Sequence, residues 1–117
     1  MELNLAVVRG PLSSMPDLRT LPSGSEVANL AVRTPVDGKS TSVPVTVWDP
    51  PAWIADLAEG DELLVLGAVR RRFYRAGAAT GSRVDVEATF VAKPGKRQLG
   101  AFARRIRESL GDLDGIG

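Results

Sequence analysis

Apolar and polar residues alternate along several stretches of the chain, a two-residue period typical of strands with one buried face. In one such stretch Val45 and Val47 share one parity, whereas Thr46 and Trp48 take the other. Another opens with an unbroken apolar run from Leu63 onwards, which is interrupted by Gly67, where a bend or bulge is expected. The predicted strands are residues 4–12, 26–33, 40–48, 62–75 and 83–92.

Turn-forming residues separate these strands. Asp37 and Gly38 suit the positive-φ positions of a tight hairpin between the second and third strands. Residues 13–25 are rich in Ser, Pro, Asp and Gly and are predicted to form a loop. Residues 76–81 are small and include two glycines, so a mobile loop is expected there.

A short helix is predicted between the third and fourth strands. Asp49 is suited to cap its N-terminus. The apolar residues Trp53, Ile54 and Leu57 recur at helical spacing, and Gly60 fits the position just past a helix end.

A second helix is predicted over residues 98–110, because apolar residues recur there at helical intervals between arginines. We expect it to pack back onto the strands or onto a partner subunit rather than to contact a ligand directly. Residues 112–117 are expected to be frayed. The apolar residues of this helix are Leu99, Phe102, Ala103, Ile106 and Leu110.

The order of three strands, a short helix and two strands is that of an OB-type barrel, although other small barrels share it. The sequence therefore predicts an all-β fold, a five-stranded OB-fold barrel with one short helix between strands three and four. A C-terminal amphipathic helix follows. Residues 1–95 are assigned to the barrel domain, and residues 96–117 to the basic helix and a short acidic tail.

The composition narrows the chemistry that the chain can perform. The 117 residues include no cysteine and no histidine, so disulfides, thiolate metal sites and histidine-dependent triads are excluded. Gly77 to Gly81 lack the Gly-Lys-Ser/Thr ending of a phosphate-binding loop. Asp85 and Glu87 share a strand face, and we expect them to be merely solvated. No active site and no cofactor are predicted.

The N-terminus is acidic and the chain has no apolar run of transmembrane length, so neither a secretory signal nor a membrane span is expected. A cytoplasmic location is the default expectation.

The charge of the chain is unevenly distributed. The formal net charge is only +1, but residues 63–107 hold eleven basic and two acidic residues. Such a block favours a polyanionic partner, the alternative being an ordinary solvated face.

Two aromatic residues are candidates for base stacking, the main attraction of single-stranded nucleic acid to protein surfaces besides phosphate contacts. Alternation places Arg70, Arg72 and Tyr74 on one strand face, and Arg71 and Phe73 on the other. Because a barrel interior does not accept several unpaired charges, Tyr74 is expected to face outwards, and Trp48 likewise by parity. Phe73 and Trp53 are expected to belong to the core.

Short motifs in a fixed order resemble those of the bacterial single-stranded DNA-binding proteins, and among them an actinobacterial second paralogue. The resemblance covers roughly residues 4–92. Its fragments are Gly10-Pro11-Leu12, Met15-Pro16-Asp17-Leu18-Arg19, Pro22-Ser23-Gly24, Val27-Ala28-Asn29-Leu30, Pro44-Val45-Thr46-Val47-Trp48-Asp49 and Gly67-Ala68-Val69-Arg70-Arg71-Arg72-Phe73-Tyr74.

The resemblance implies that Trp48 and Tyr74 occupy DNA-stacking positions, and that Arg72, Arg70 and Arg9 face the same groove. It also implies a homotetramer or paired OB domains, no cofactor and no enzymatic activity. A cytoplasmic, nucleoid-associated protein of replication, repair and recombination is expected. The candidate DNA-binding residues are Trp48, Tyr74, Arg70, Arg72, Arg75, Arg9, Arg33, Lys39, Phe73 and Arg83.

The chain departs from the family pattern at the stretches 33–36 and 42–43, which lack the family's further stacking aromatics. We therefore expect weaker binding per subunit or more reliance on charge. The last residues lack the family's acidic Pro-Phe tip, which puts recruitment of replication or recombination proteins by a tail in doubt. Two alternatives remain open: an adaptor of a primosome or recombination complex that binds proteins through the C-terminal helix, and RNA binding.

Overall fold

A computed structural model describes residues 2–111, apart from the side chain of Ala76. It contains six strands, one short 3-10 helix and one α-helix, and the segment 112–117 that was predicted to fray lies outside the described residues. The elements are β1 (Ala6–Pro11), β2 (Asp17–Thr20), β3 (Glu26–Val36), β4 (Lys39–Trp48), the 3-10 helix (Ala52–Asp56), β5 (Glu62–Ala76), β6 (Ala79–Ala92) and α1 (Lys96–Ser109).

The six strands form one sheet in the order β1-β5-β6-β4-β3-β2. All neighbours are antiparallel except β4 and β6, which pair in parallel at Val45↔Val86. β1 also approaches β3, through the isolated bridge Leu12↔Val32. The prediction of a mostly-β fold with a C-terminal helix is thus confirmed, and the sheet has six strands in place of the five that the sequence predicts.

The additional strand, β2, lies in the segment that was predicted to be a loop. It pairs with β3 from Asp17↔Asn29 to Thr20↔Glu26, and Leu21 closes the turn by donating its amide to Ser25. All four residues of β2 are exposed, so the strand shows no alternation of apolar and polar residues. Backbone pairing at the edge of the sheet forms this strand, and side-chain patterning does not reveal it.

The two long hairpins have tight turns. Asp37 and Gly38 both have positive φ, 51° and 76°, as a type I′ turn requires and as the sequence predicts. The expected mobile loop at residues 76–81 is wrong, because Ala76 pairs with Ala79 across a two-residue turn and strand pairing resumes at once.

The predicted short helix is present only as a 3-10 helix, and Asp49 does not cap it. Asp49 has a φ of 48° and donates its amide to the Glu26 carbonyl over 2.9 Å. The residue therefore closes the end of β4 against β3 instead of starting the helix.

Apolar side chains are buried on both faces of β5. Leu63 and Val65 point into the main core, while Leu64 and Leu66 point to the other side and pack against Phe102 of α1. Burial on both faces explains the unbroken apolar run at the start of this strand. The amphipathic helix of residues 98–110 is thus confirmed as α1, and it packs back onto the outer face of β5 and β6.

Candidate nucleic-acid interface

The predicted stacking and charged residues meet on the outer face of β4, β5 and β6, beyond the part of that face that α1 covers. Alternation brings Trp48 outwards on β4, and Arg72 and Tyr74 outwards on β5. On β6 the register places Asp85 opposite Arg70. We call this outer surface of the three strands the arginine face; its members are Thr46, Trp48, Arg70, Arg72, Tyr74, Arg83, Asp85 and Glu87.

A ladder of ion pairs crosses the arginine face. Arg70 Nη1 lies 2.7 Å from Glu87 Oε2, and Arg72 Nε lies 2.9 Å from Asp85 Oδ2. Arg83 Nη2 lies 3.7 Å from the same Asp85 oxygen. Three of the predicted DNA-binding arginines are therefore paired with carboxylates of the same face.

Asp85 is the centre of this ladder and is not the solvated carboxylate that the sequence predicts. Its side chain has no solvent exposure, and Thr46 Oγ1 donates a second hydrogen bond to Oδ2 over 2.7 Å. Its other oxygen, Oδ1, is buried and accepts no hydrogen bond among the described residues. Burial of an ionised carboxylate requires such partners, which here come from two neighbouring strands.

Glu87 remains ionised in this setting. The hydrogen bond from Arg70 lowers the pKa of Glu87 below its ordinary value of 4.5, and the charges of Arg70 and Arg72 act in the same direction. Partial burial opposes this shift, and the indole N–H of Trp48 adds a smaller lowering contribution. The ladder thus retains this negative charge at neutral pH.

Trp48 is packed on one side and open on the other. The guanidinium carbon of Arg72 lies 5.9 Å from the centroid of its ring, within the range of a cation–π contact. The side chain nevertheless stays 40% exposed. Arg72 therefore holds the indole in place while leaving surface that a base can cover.

Tyr74 and Phe73 lie near the tip of the β5–β6 hairpin. Tyr74 is 52% exposed, and its ring lies over Gly81, where an added Cβ would approach Cζ to 2.6 Å. Phe73 is 78% exposed, so its assignment to the core is wrong. The hairpin extends past the main core, and nothing among the described residues covers its far end.

Trp53 is partly buried and packs against the main core, as predicted, with Lys93 Nζ 5.4 Å from its ring centroid.

The remaining candidate residues lie at different places on the sheet. Arg75 is exposed beside the β5–β6 turn, and Arg33 and Lys39 are exposed on the β3–β4 hairpin. Because β4 and β6 run in parallel, both hairpin tips project from the same end of the sheet. Arg9 is separate from the others: it pairs with Glu62 and lies beside Leu64, six residues along β5 from Arg70. Arg9 is thus set apart from the arginine face, and its contact with DNA stays a prediction.

The sequence reasoning missed Thr46, Asp85 and Glu87 as members of the site. Thr46 has the same parity as Trp48, and a tight turn at residues 77–78 would have set Asp85 opposite Arg70. Both signals were present in the chain, but the assumed loop at residues 76–81 left the hairpin register undefined.

The part of the chain that the structure describes holds no group of three or more His, Cys, Asp or Glu residues arranged for a metal ion. Across residues 2–111, no helix is both long and apolar enough to cross a membrane.

Comparison with known proteins supports the resemblance seen in the motifs. The curated single-stranded DNA-binding protein of Thermus thermophilus is 30% identical over an alignment of 113 residues, and the match covers 91% of this chain and 43% of that protein. The chain thus spans less than half the length of this relative. No family model matches the chain.

Solved structures of single-stranded DNA-binding proteins also resemble this chain in fold. The wild-type single-stranded DNA-binding protein of Thermus aquaticus is 28% identical, with a TM-score of 0.65 over 80% of this chain and 41% of that one. The Plasmodium falciparum single-stranded DNA-binding protein in complex with single-stranded DNA has a TM-score of 0.69 over 81% of this chain and 97% of that one. At 17% identity it shows the fold alone.

Proposed function

We propose, from the similarity of this chain to bacterial single-stranded DNA-binding proteins in sequence and fold, that it binds single-stranded DNA without sequence preference and without catalysis. The observation that carries the proposal is the arginine face, where the exposed rings of Trp48 and Tyr74 lie beside arginines on one continuous surface. Rings of this kind stack on any base, because every base has a π-face.

The aromatic rings supply the part of the affinity that does not depend on salt. Stacking contributes roughly 1–3 kcal/mol per base. Phe73 lines a groove together with Arg72, Tyr74 and Arg83, so it remains a proposed contact for a base at the hairpin tip.

The cations divide into two groups. Arg70, Arg72 and Arg83 already have carboxylate partners, and a phosphate on this face shares each arginine with the carboxylate that already holds it. Among the described residues, no carboxylate lies within 4.0 Å of the other group, Arg75, Arg33 and Lys39, and these residues are free to neutralise phosphates directly.

The proposed role of such binding is to cover and protect exposed strands during replication, repair or recombination, with the chain acting as a homo-oligomer, a tetramer by resemblance. The adaptor alternative has less support, because α1 uses the buried side chain of Phe102 against β5 and β6 rather than offering it to a partner. RNA binding is distinguished by competition between oligo-dT and oligo-U.

Fluorescence titration tests the proposal. Trp48→Ala and Tyr74→Ala should each weaken oligo-dT binding by roughly 5- to 150-fold, the equivalent of 1–3 kcal/mol of stacking. Met15→Ala serves as the control, since Met15 is 72% exposed and lies outside the arginine face. If both aromatic variants bind oligo-dT as tightly as the parent, the stacking assignment is wrong. If the parent itself binds none, the proposed function is wrong.

A further inference from the structure

Three aromatic rings each have a cation over their face. Arg72 lies 5.9 Å from the centroid of Trp48, Arg105 lies 5.0 Å from that of Phe90, and Lys93 lies 5.4 Å from that of Trp53. Only the first of these pairs belongs to the arginine face. The other two lie near the end of β6, with Lys93 just before α1 and Arg105 in the C-terminal half of that helix.

Three surface depressions lie beside these pairs and share lining residues. Trp48 lines one depression together with Arg72 and Arg83. Trp48 and Phe90 together line the next, and Phe90 then lines a third with Trp53 and Lys93. Consecutive depressions share Trp48 and then Phe90, so they follow one another along β6, and we refer to this series as the groove. We call its far part, lined by Phe90, Trp53 and Lys93, the lower groove, and Arg105 borders it over the ring of Phe90.

The electrostatics of the lower groove differ from those of the arginine face. Among the described residues, no carboxylate lies within 4.0 Å of Lys93 or Arg105, whereas Arg70, Arg72 and Arg83 are all paired. Asp49 is the acidic residue that lines the connecting depression, next to Trp48. Cations held over aromatic rings but without an anionic partner are suited to an incoming phosphate.

We propose that a single strand bound on the arginine face continues along β6 into the lower groove, where Lys93 and Arg105 neutralise its phosphodiesters. Phe90 and Trp53 act there by fixing the two cations in place. This inference rests on the proposed function and extends the same site past Trp48 to α1. It gives α1 a second role beside its packing, since Arg105 lies on that helix.

The length of the groove sets the oligonucleotide that tests it. Arg83 and Lys93 are ten residues apart, so the groove extends about 33 Å at about 3.3 Å per residue. The short oligo-dT used here has about 5 nucleotides and the long one about 15, both near the range that single OB domains bind. A short strand is held by the arginine face alone, and a long strand reaches the lower groove.

The first experiment compares Lys93→Gln/Arg105→Gln with the control Arg19→Gln/Arg104→Gln, which removes the same charge elsewhere. Arg19 pairs with Asp17 on β2, and Arg104 pairs with Glu108 on α1. The lower-groove variant should bind a long oligo-dT less tightly and keep the parental affinity for a short one. Its salt slope on long oligo-dT should fall by about 1.4, because each lost contact to a single strand is worth about 0.7. The control should match the parent in its affinity for both oligonucleotides and in its salt slope.

A second experiment uses the intrinsic fluorescence and leaves the lower groove intact. The chain has two tryptophans, so Trp48→Phe leaves Trp53 as the one reporter and keeps an aromatic ring at position 48. Long oligo-dT should change the emission of Trp53, and short oligo-dT should not.

The outcomes separate the two proposals. The extension is wrong and the function stands if the parent binds oligo-dT, the lower-groove variant has the affinity of the control at every length, and the emission of Trp53 does not change. If the parent binds no oligo-dT of any length, the function itself fails.

Discussion

Asp85 shows how one residue organises a surface that carries mostly positive charge. Its carboxylate binds Thr46 on β4 and Arg72 on β5, and it thereby connects two strands that do not touch each other in the sheet order. Its burial also places Arg72 where it covers one side of the Trp48 ring. The residue is thus a positioning group for the proposed stacking site.

Asp85→Ala should lower the free energy of unfolding by about 3 kcal/mol, because removal of one partner leaves a largely buried guanidinium without its carboxylate. Asp17→Ala is the matched control: it breaks the exposed pair with Arg19 and should cost less than about 1 kcal/mol. Urea unfolding of both variants measures the difference. Equal small losses would mean that the buried pair adds nothing to stability.

For single residues, the sequence predicted the face to which a side chain points but not the burial and the partners of that side chain. Parity placed Trp48, Arg72 and Tyr74 on the outer face, where they lie. Parity does not say how far a strand extends past its core, so Phe73 was wrongly assigned to the interior. It also does not say which residues face each other across strands, so Asp85 appeared solvated.

At the scale of elements, the β5–β6 hairpin is the support of the whole proposed site. Its register shifts between Leu66 and Gly67, where β6 has one additional residue. On one side of this shift the outward residues of β6 are apolar and face α1. On the other side they are Glu87 and Asp85. A Cβ on Gly67 would lie 2.2 Å from the Glu87 carbonyl oxygen, so only glycine permits this close approach.

Gly67→Ala should therefore destabilise the protein by about 1–3 kcal/mol, the usual cost of forcing a backbone shift at a tightly packed position. Gly100→Ala should have the opposite sign, a gain of up to about 1 kcal/mol, because Gly100 lies in α1 with open space around it. Thermal unfolding of the two variants checks both. A neutral Gly67→Ala would show that the bulge adapts without cost.

Elements with an alternating or helical pattern were predictable from the chain. The predicted strands and α1 are present, because their side chains record which face is buried. β2 was not predictable, since its four exposed residues pair through the backbone alone. The 3-10 helix was predicted as an element, but not its type or its start, because Asp49 takes a left-handed conformation that closes β4 instead.

At the scale of the whole molecule, the described residues 2–111 form two apolar clusters on opposite faces of the sheet, which share β5 as their common wall. The main cluster fills the inside of the curved sheet, and the smaller one fixes α1 outside it. Phe102 is the buried anchor of the smaller cluster and stacks on Phe90 with ring centroids 6.3 Å apart. The helix therefore depends on the sheet, whereas the main core does not depend on the helix.

Phe102→Ala should release α1 while the main core stays folded. Hydrogen exchange should become fast in α1 and remain slow in β3 and β4, because opening follows the cluster that lost its contacts. Leu99→Ala, at a helix position that is 36% exposed, should leave exchange in α1 near that of the parent. Loss of protection throughout β3 and β4 in Phe102→Ala would show that the two clusters unfold as one unit.

The ion pairs around Arg72 also affect the rate at which a single strand is captured. Arg72 is held between the Asp85 carboxylate and the Trp48 ring by contacts within the protein, so its side-chain entropy is lost on folding rather than on binding. A strand that meets this surface has little rearrangement to wait for, and its capture is then governed by diffusion and long-range attraction rather than by side-chain ordering. The carboxylates that lower the positive charge of this face thereby keep it ready, and a strand that has just been exposed is met by a surface already in its binding shape.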